Sequence, residues 1–197
     1  MKLQDTLPRG VTVGGRFYRM DLDFRNVLKL MDTLAREDLM PEAREYVALK
    51  CVMKRPPRNA GQVLAALRHV LFPEAQKKVE RKKITDFEQD ADLIRAAFMQ
   101  VYGISLYRDR LHWVEFSALL AGLPEGNRYS EILGIRARPM PKATKVNAEE
   151  RQWLAQAKAT YALKMTEKER EQSYQTSMRR TTASLLALAK RGENKDA

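Results

Sequence analysis

The chain has 197 residues, 44% of them hydrophobic and 31% charged, which is enough apolar material to close one core and too little for two. No run approaches the roughly 18 uninterrupted apolar residues of a membrane span, and the start, MKLQDTLPRG, lacks the apolar middle of a secretory signal, so the expectation is a protein of the cytoplasm with no membrane partner. A single cysteine, Cys51, excludes an internal disulfide, while a net charge of +11 asks for a polyanionic partner or another explanation.

Short alternating runs around Gly14-Gly15 predict a β-hairpin over 11–20, because this dipeptide accepts the positive φ angles of a tight turn. Phe24, Val27, Leu28, Met31, Leu34 and Ala35 then recur at three- and four-residue steps and lie on one face of a first helix. Pro41 suits the first turn of a second helix, running through about Met53, and in its apolar run YVALKCVM Cys51 reads as a small buried side chain. The prolines of RPPRN end that helix. Asn59 is positioned to cap a third, with the stripe Val63, Leu64, Leu67, Val70 and Leu71 and with His69 turned to water.

The charge is concentrated. Within 54–83, nine Lys/Arg stand against two Glu, so a surplus of seven lies in this one stretch. Lys77, Lys78, Arg81, Lys82 and Lys83 in KKVERKK form a candidate polyanion-binding run, but no aromatic is interleaved to stack on a base, and a solvated, flexible connector is the plainer reading.

Thr85 and Glu88 have capping-box spacing ahead of DFEQDADLIRAAFMQVY, whose stripe is Phe87, Ala91, Ile94, Phe98, Val101 and Tyr102, and Gly103 is placed to stop it. LHWVEFSALLAGLP follows and ends at Gly122 and Pro124. SEILGIR makes a short further segment, and ARPMPKATK is a proline-punctuated linker. Asn147 with Glu150, and Thr166 with Glu169, repeat the cap spacing and predict two more helices. In the second, Tyr174, Met178, Thr181, Leu185 and Leu188 form a seam about two heptads long, and GENKDA should fray. The expected fold is mainly α: a helical bundle with a small N-terminal β-hairpin in a core domain over 1–140, and a linker with a C-terminal helical extension over 141–197.

Chemistry is scarce. In 111–123, Trp113, Phe116, Leu119, Leu120 and Leu123 share one arc while Leu111, Val114, Ala118 and Ala121 cover much of the opposite one, so the helix is expected to be enclosed on nearly all sides. His112 and Glu115 are close enough for a hydrogen bond, but only Ser117 stands near as a nucleophile, with no strand-turn-helix elbow around it; a structural histidine is the reading. No CxxC or HExxH is present, Asp90 and Asp92 point about 200° apart on a helix, and Asp86 and Glu88 suit a positive helix start. The glycines of GGRF and LAGLPEGN lack phosphate-cradling spacing. No enzyme, metal or cofactor is expected.

LPRGVTVGGRFYRMDLDFR, DFEQDADLIRAAFMQVYGISL, LHWVEFSALLAGLP and SEILGIR, in this order and spacing, resemble the phage gene-product-fifteen family, found in tailed phages and prophages mainly of Gram-positive hosts. The resemblance covers about residues 7–163, through ERQWLAQAKATYAL; where the family often carries a second tryptophan this chain has Val114, a difference of packing. Its members are typically encoded just ahead of the tail tape-measure protein. The resemblance implies a non-enzymatic tail assembly chaperone that coats the tape-measure protein, helps recruit tail-tube protein and self-associates, in the host cytoplasm. Tyr174, Met178, Leu185 and Leu188 are then the candidate docking face, with packing onto the chain's own domain as the alternative. Competing readings are a nucleic-acid-binding module and a structural component kept in the virion.

Overall fold

The structure, a computed structural model, describes residues 4–72, 83–144 and 146–164, together with Glu171, Tyr174, Gln175, Met178, Arg179 and Thr182. Among these residues the fold is mainly α, with seven helices and a two-stranded antiparallel hairpin. Strands β1 (Gly10–Val13) and β2 (Arg16–Arg19) pair from Gly10↔Arg19 to Val13↔Arg16. Gly14 and Gly15 turn the chain at φ 56° and 76°, the left-handed values expected of a primed hairpin turn. Gly10 is required for another reason: with φ at 155°, a Cβ there would come within 1.9 Å of the Tyr18 carbonyl oxygen.

Helix α1 (Phe24–Ala35) starts where Asp23 accepts the backbone N–H of Arg25 at 3.0 Å, and it buries Phe24, Val27 and Leu30. Helix α2 (Pro41–Lys50) opens on its proline as predicted, but it ends short of Met53. Beyond Lys50 the chain makes a turn in which the N–H groups of Val52 and Met53 both reach Leu49, and the Val52 carbonyl leaves the helix axis to accept from Asp21 N–H at 2.8 Å. Cys51, in that turn, is half-buried rather than buried, its Sγ 3.8 Å from Thr33 Oγ1. Helix α3 (Ala60–Leu71) buries Val63, Leu67 and Leu71 of its stripe and leaves His69 exposed. Asn59 sits at its start without capping it, because the amide is turned to donate to Gln62 Oε1 at 3.3 Å.

The capping box expected at Thr85 and Glu88 is also corrected. Thr85 Oγ1 is drawn to Tyr129 Oη at 2.5 Å, while Asp86 Oδ1 accepts the N–H groups of Glu88 and Gln89 at 3.0 Å each, so residues 87–90 form a turn and α4 (Ala91–Tyr102) begins only afterwards. Gly103, at φ 67°, ends it by donating to Met99. Helices α5 (Trp113–Ala121), α6 (Arg128–Ala137) and α7 (Ala148–Thr160) complete the order. Asn127 caps α6 through Ser130 N–H at 3.0 Å. Asn147 does not cap α7: it accepts from Thr144 N–H and donates to the Lys142 carbonyl, fastening the linker, and Glu150 pairs with Arg138.

Two helical groups share one core. The hairpin packs on α3, and α1, α2 and α3 pack in series; α4, α6 and α7 form the second series; α5 joins them against α1. Aromatic rings fill the junction. Phe24 stacks on Phe116 at 4.6 Å between centroids, Phe116 stacks on Phe98 at 5.3 Å, and the edges of Phe72 and Phe87 meet Trp113. Burial of each such ring contributes about 2–3 kcal/mol before any ring-ring preference is counted. Two backbone bonds fasten the junction: Trp113 N–H to the Leu22 carbonyl at 2.8 Å and Phe24 N–H to the Leu111 carbonyl at 3.0 Å. Helix α5 is nonetheless covered on one side only. Trp113 and Phe116 are buried, but Ala118 and Ala121 face solvent, which costs little because a methyl group offers little apolar area.

Candidate partner-binding surfaces

His112 is the residue whose chemistry most needed placing. It is the N-cap of α5: Nδ1 accepts the Val114 N–H at 3.1 Å, which puts the ring proton on Nε2, 2.9 Å from the Pro8 carbonyl it donates to. Glu115 does not meet the ring; its carboxylate accepts the backbone N–H of His112 at 3.3 Å, completing a reciprocal cap. The imidazole is half-buried at the rim of a shallow cleft of about 270 Å³ that Asp23 and Arg110 also line, not sealed inside the bundle, because a cap residue lies outside the helix it starts. Both ring nitrogens are committed to backbone. Ser117 Oγ donates to the Val114 carbonyl at 3.0 Å, a second commitment to the helix.

Polar groups in the interior are similarly engaged. Asp90 is 1% exposed and grips Arg136 through two bonds, at 2.7 and 2.9 Å. Arg136 also donates to the carbonyls of Ile84 at 3.0 Å and Tyr161 at 2.6 Å, and Asp90 accepts Asp86 N–H at 2.9 Å, so four segments of chain converge on one ion pair. Near the surface, Asp23 meets both Arg25 and Arg110, and Arg110 holds Asp21 with two bonds of 2.8 Å. Among the described residues there is no cluster of three or more His, Cys, Asp or Glu able to hold a metal ion, and no helix long and apolar enough to cross a membrane.

The surfaces that remain open are apolar or charged. Of the predicted seam, Tyr174 and Met178 are helical, one turn apart, and 61% and 51% exposed; Thr181, Leu185 and Leu188 lie outside the described residues. The helix predicted to begin at Thr166 and Glu169 falls there as well. Lys77, Lys78, Arg81 and Lys82 of the basic run also lie outside, and Lys83 bonds to Asp86 at 2.8 Å. Sequence reading missed a groove between α1, α4 and the turn at 105–109, about 340 Å³ in volume, with a floor of Phe24, Phe87 and Phe116. Arg25, Arg95 and Tyr107 stand at its edge, with Arg95 over the Tyr107 ring at 4.6 Å. Its one legible sign was that α1 and α4 both carry apolar stripes wider than a single neighbour covers.

A helical protein whose buried polar groups are spent on holding the fold, and whose open faces are apolar, belongs to the class that acts through contact surfaces. Residues 3–163 match the family described as Bacteriophage Gp15 protein, and the chain belongs to that family, a family of phage proteins. No curated protein and no solved structure matches the chain.

Proposed function

We propose that this phage protein is a tail assembly chaperone: it binds the tape-measure protein in the host cytoplasm, aids its meeting with tail-tube protein, self-associates, and works by contact without turnover. The observation that carries the reading is family membership over residues 3–163, since relatives of this kind are typically encoded just ahead of the tape measure. The exposed helical pair Tyr174 and Met178 supports it, because a long helical rod is met through apolar helix faces. Coexpression with the tape-measure protein of the same phage tests it. The tape measure should become soluble and be captured with the chain, and Tyr174→Glu with Met178→Glu should weaken capture if the seam docks it. Mass spectrometry of purified particles should find the chain absent; its presence would make it a tail component.

The net charge of +11 favours one second reading, nucleic-acid binding. It requires nonspecific DNA to bind at low salt with affinity falling steeply as salt rises. No binding at low salt removes it.

A further inference from the structure

The groove between α1 and α4 has a direction. Along α1, Arg25 lines one end, Leu28 lies one turn on, and Asp32 follows a further turn on the same face, just past the lining. Across the groove the order runs the other way: Phe87, flanked by Asp86 and Glu88, faces the Asp32 end, then come Ala91 and Arg95. Burial and then the charges of Glu88 and Asp86 raise the Asp32 carboxyl above its ordinary value, as expected of carboxylates gathered in one place. One end of the groove is therefore acidic and the other basic, with an apolar floor between. At the basic end Arg25 is fixed by bonds to the carbonyls of Leu106 and Asp109 at 2.7 and 2.8 Å, and one nitrogen of Arg95 bonds to the exposed Asp92. Tyr107, 72% exposed, extends the apolar surface outward from there.

A volume of about 340 Å³ suits one or two bulky side chains from adjacent helical turns. An α-helix matches the charge order as well, having a positive amino end and a negative carboxy end. We infer that the groove docks an amphipathic helix of a partner protein, apolar stripe inward, with its amino end beside Asp32 and Glu88 and a carboxylate-bearing carboxy end beside Arg25 and Arg95. On the reading above, on which this assignment of the partner rests, that helix belongs to the tape measure.

The test uses the full-length chain and two fluorescent synthetic helices of about 14 residues, some four turns, with one apolar stripe. One carries Lys at its amino end and Glu at its carboxy end; the other has these exchanged. The first should bind at least about tenfold more tightly, Ala91→Trp should abolish binding by filling the groove, and Arg95→Glu should reverse the preference, with unchanged circular dichroism in each variant. Equal binding of the two helices, or undiminished binding to Ala91→Trp, overturns the inference. Capture of coexpressed tape measure separates the two ideas: capture that Ala91→Trp leaves intact overturns the groove's assignment and spares the chaperone reading. Binding of the first helix with no capture of the tape measure by the unaltered chain sinks the chaperone reading and supports the groove as a helix site.

Discussion

Asp90 and Arg136 face each other as a two-pronged ion pair, Oδ2 to Nη1 at 2.7 Å and Oδ1 to Nη2 at 2.9 Å, with side chains 1% and 8% exposed. Removing one partner leaves the other charge buried and unpaired. Asp90→Ala or Arg136→Met should therefore lower unfolding stability by about 3–5 kcal/mol, read from urea denaturation. Arg136→Lys should also be costly, since an ammonium cannot reproduce the fork or reach Ile84 and Tyr161 together.

The same guanidinium makes the place of a truncation matter. Tyr161 supplies one of its acceptors, Lys158 donates to the Arg136 carbonyl at 3.0 Å, Gln89 bonds Ala162 and Lys164, and Leu154 is fully buried. A chain ending at 140 should lose at least about 2 kcal/mol with Leu154 alone, before the orphaned Arg136 Nε is counted. A chain ending at Lys164 keeps all of these ties and should unfold cooperatively near the full-length midpoint. Thermal melts of the two chains decide.

His112 predicts a mild effect. His112→Ala removes the acceptor for Val114 N–H and should cost about 1 kcal/mol with faster hydrogen exchange in the first turn of α5. His112→Asn restores an acceptor at the cap and should recover most of that loss, though the bond to Pro8 goes in both. Equal exchange in the two variants would remove the capping role.

Asp32 and Asp86 should respond to acid in opposite senses. Burial, then Glu88 and Asp86, raise Asp32 above the usual 3.8, so its ionised form weakens the fold. Asp32→Asn should stabilise slightly at neutral pH, by a few tenths of a kcal/mol after solvent screening, and the advantage should vanish as pH falls below 3.8 and the native side chain is protonated. The N–H of Gln89, then Lys83, hold Asp86 below 3.8; its stabilisation is present above that value and lost as pH falls through the lowered one, so Asp86→Asn should destabilise at neutral pH and converge with the native chain in acid.

The two tryptophans give separate optical signals. Trp113 is buried with Nε1 donating to the Leu71 carbonyl at 3.1 Å, whereas Trp153 is 55% exposed. Trp153→Phe should leave blue-shifted emission resistant to iodide. Trp113→Phe should leave red-shifted, quenchable emission and cost about 1–3 kcal/mol.

Periodicity made the stripes of α1, α3 and α4 legible, along with the hairpin turn and the stop at Gly103. Cap spacing was a poorer guide. Thr85, Asn59 and Asn147 each stand at plausible positions, but Tyr129, Gln62 and the linker carbonyl of Lys142 claim their side chains, and such partners come from parts of the chain that spacing does not compare. The Asp90–Arg136 pair left a trace: Asp90 shares the arc of Ile94 and Phe98, and Arg136 that of Tyr129 and Ile132, so opposite charges sat on two buried faces. The groove left less, because its ends are set by where α1 and α4 lie antiparallel, a matter of tertiary packing. Tyr174 and Met178 were correctly read as helical, and what they meet lies with the partner.

Leu22 and Phe24 find their backbone and ring partners in Leu111, Trp113 and Phe116, on the far side of the chain's midpoint. On a ribosome adding about 5–20 residues per second, the N-terminal helices must wait several seconds, apolar faces uncovered, before the segment that closes over them emerges. Nascent chains of this protein thus depend on protection from each other until α5 is made, and slowing translation before codon 111 should lower the soluble yield more than slowing it after codon 125.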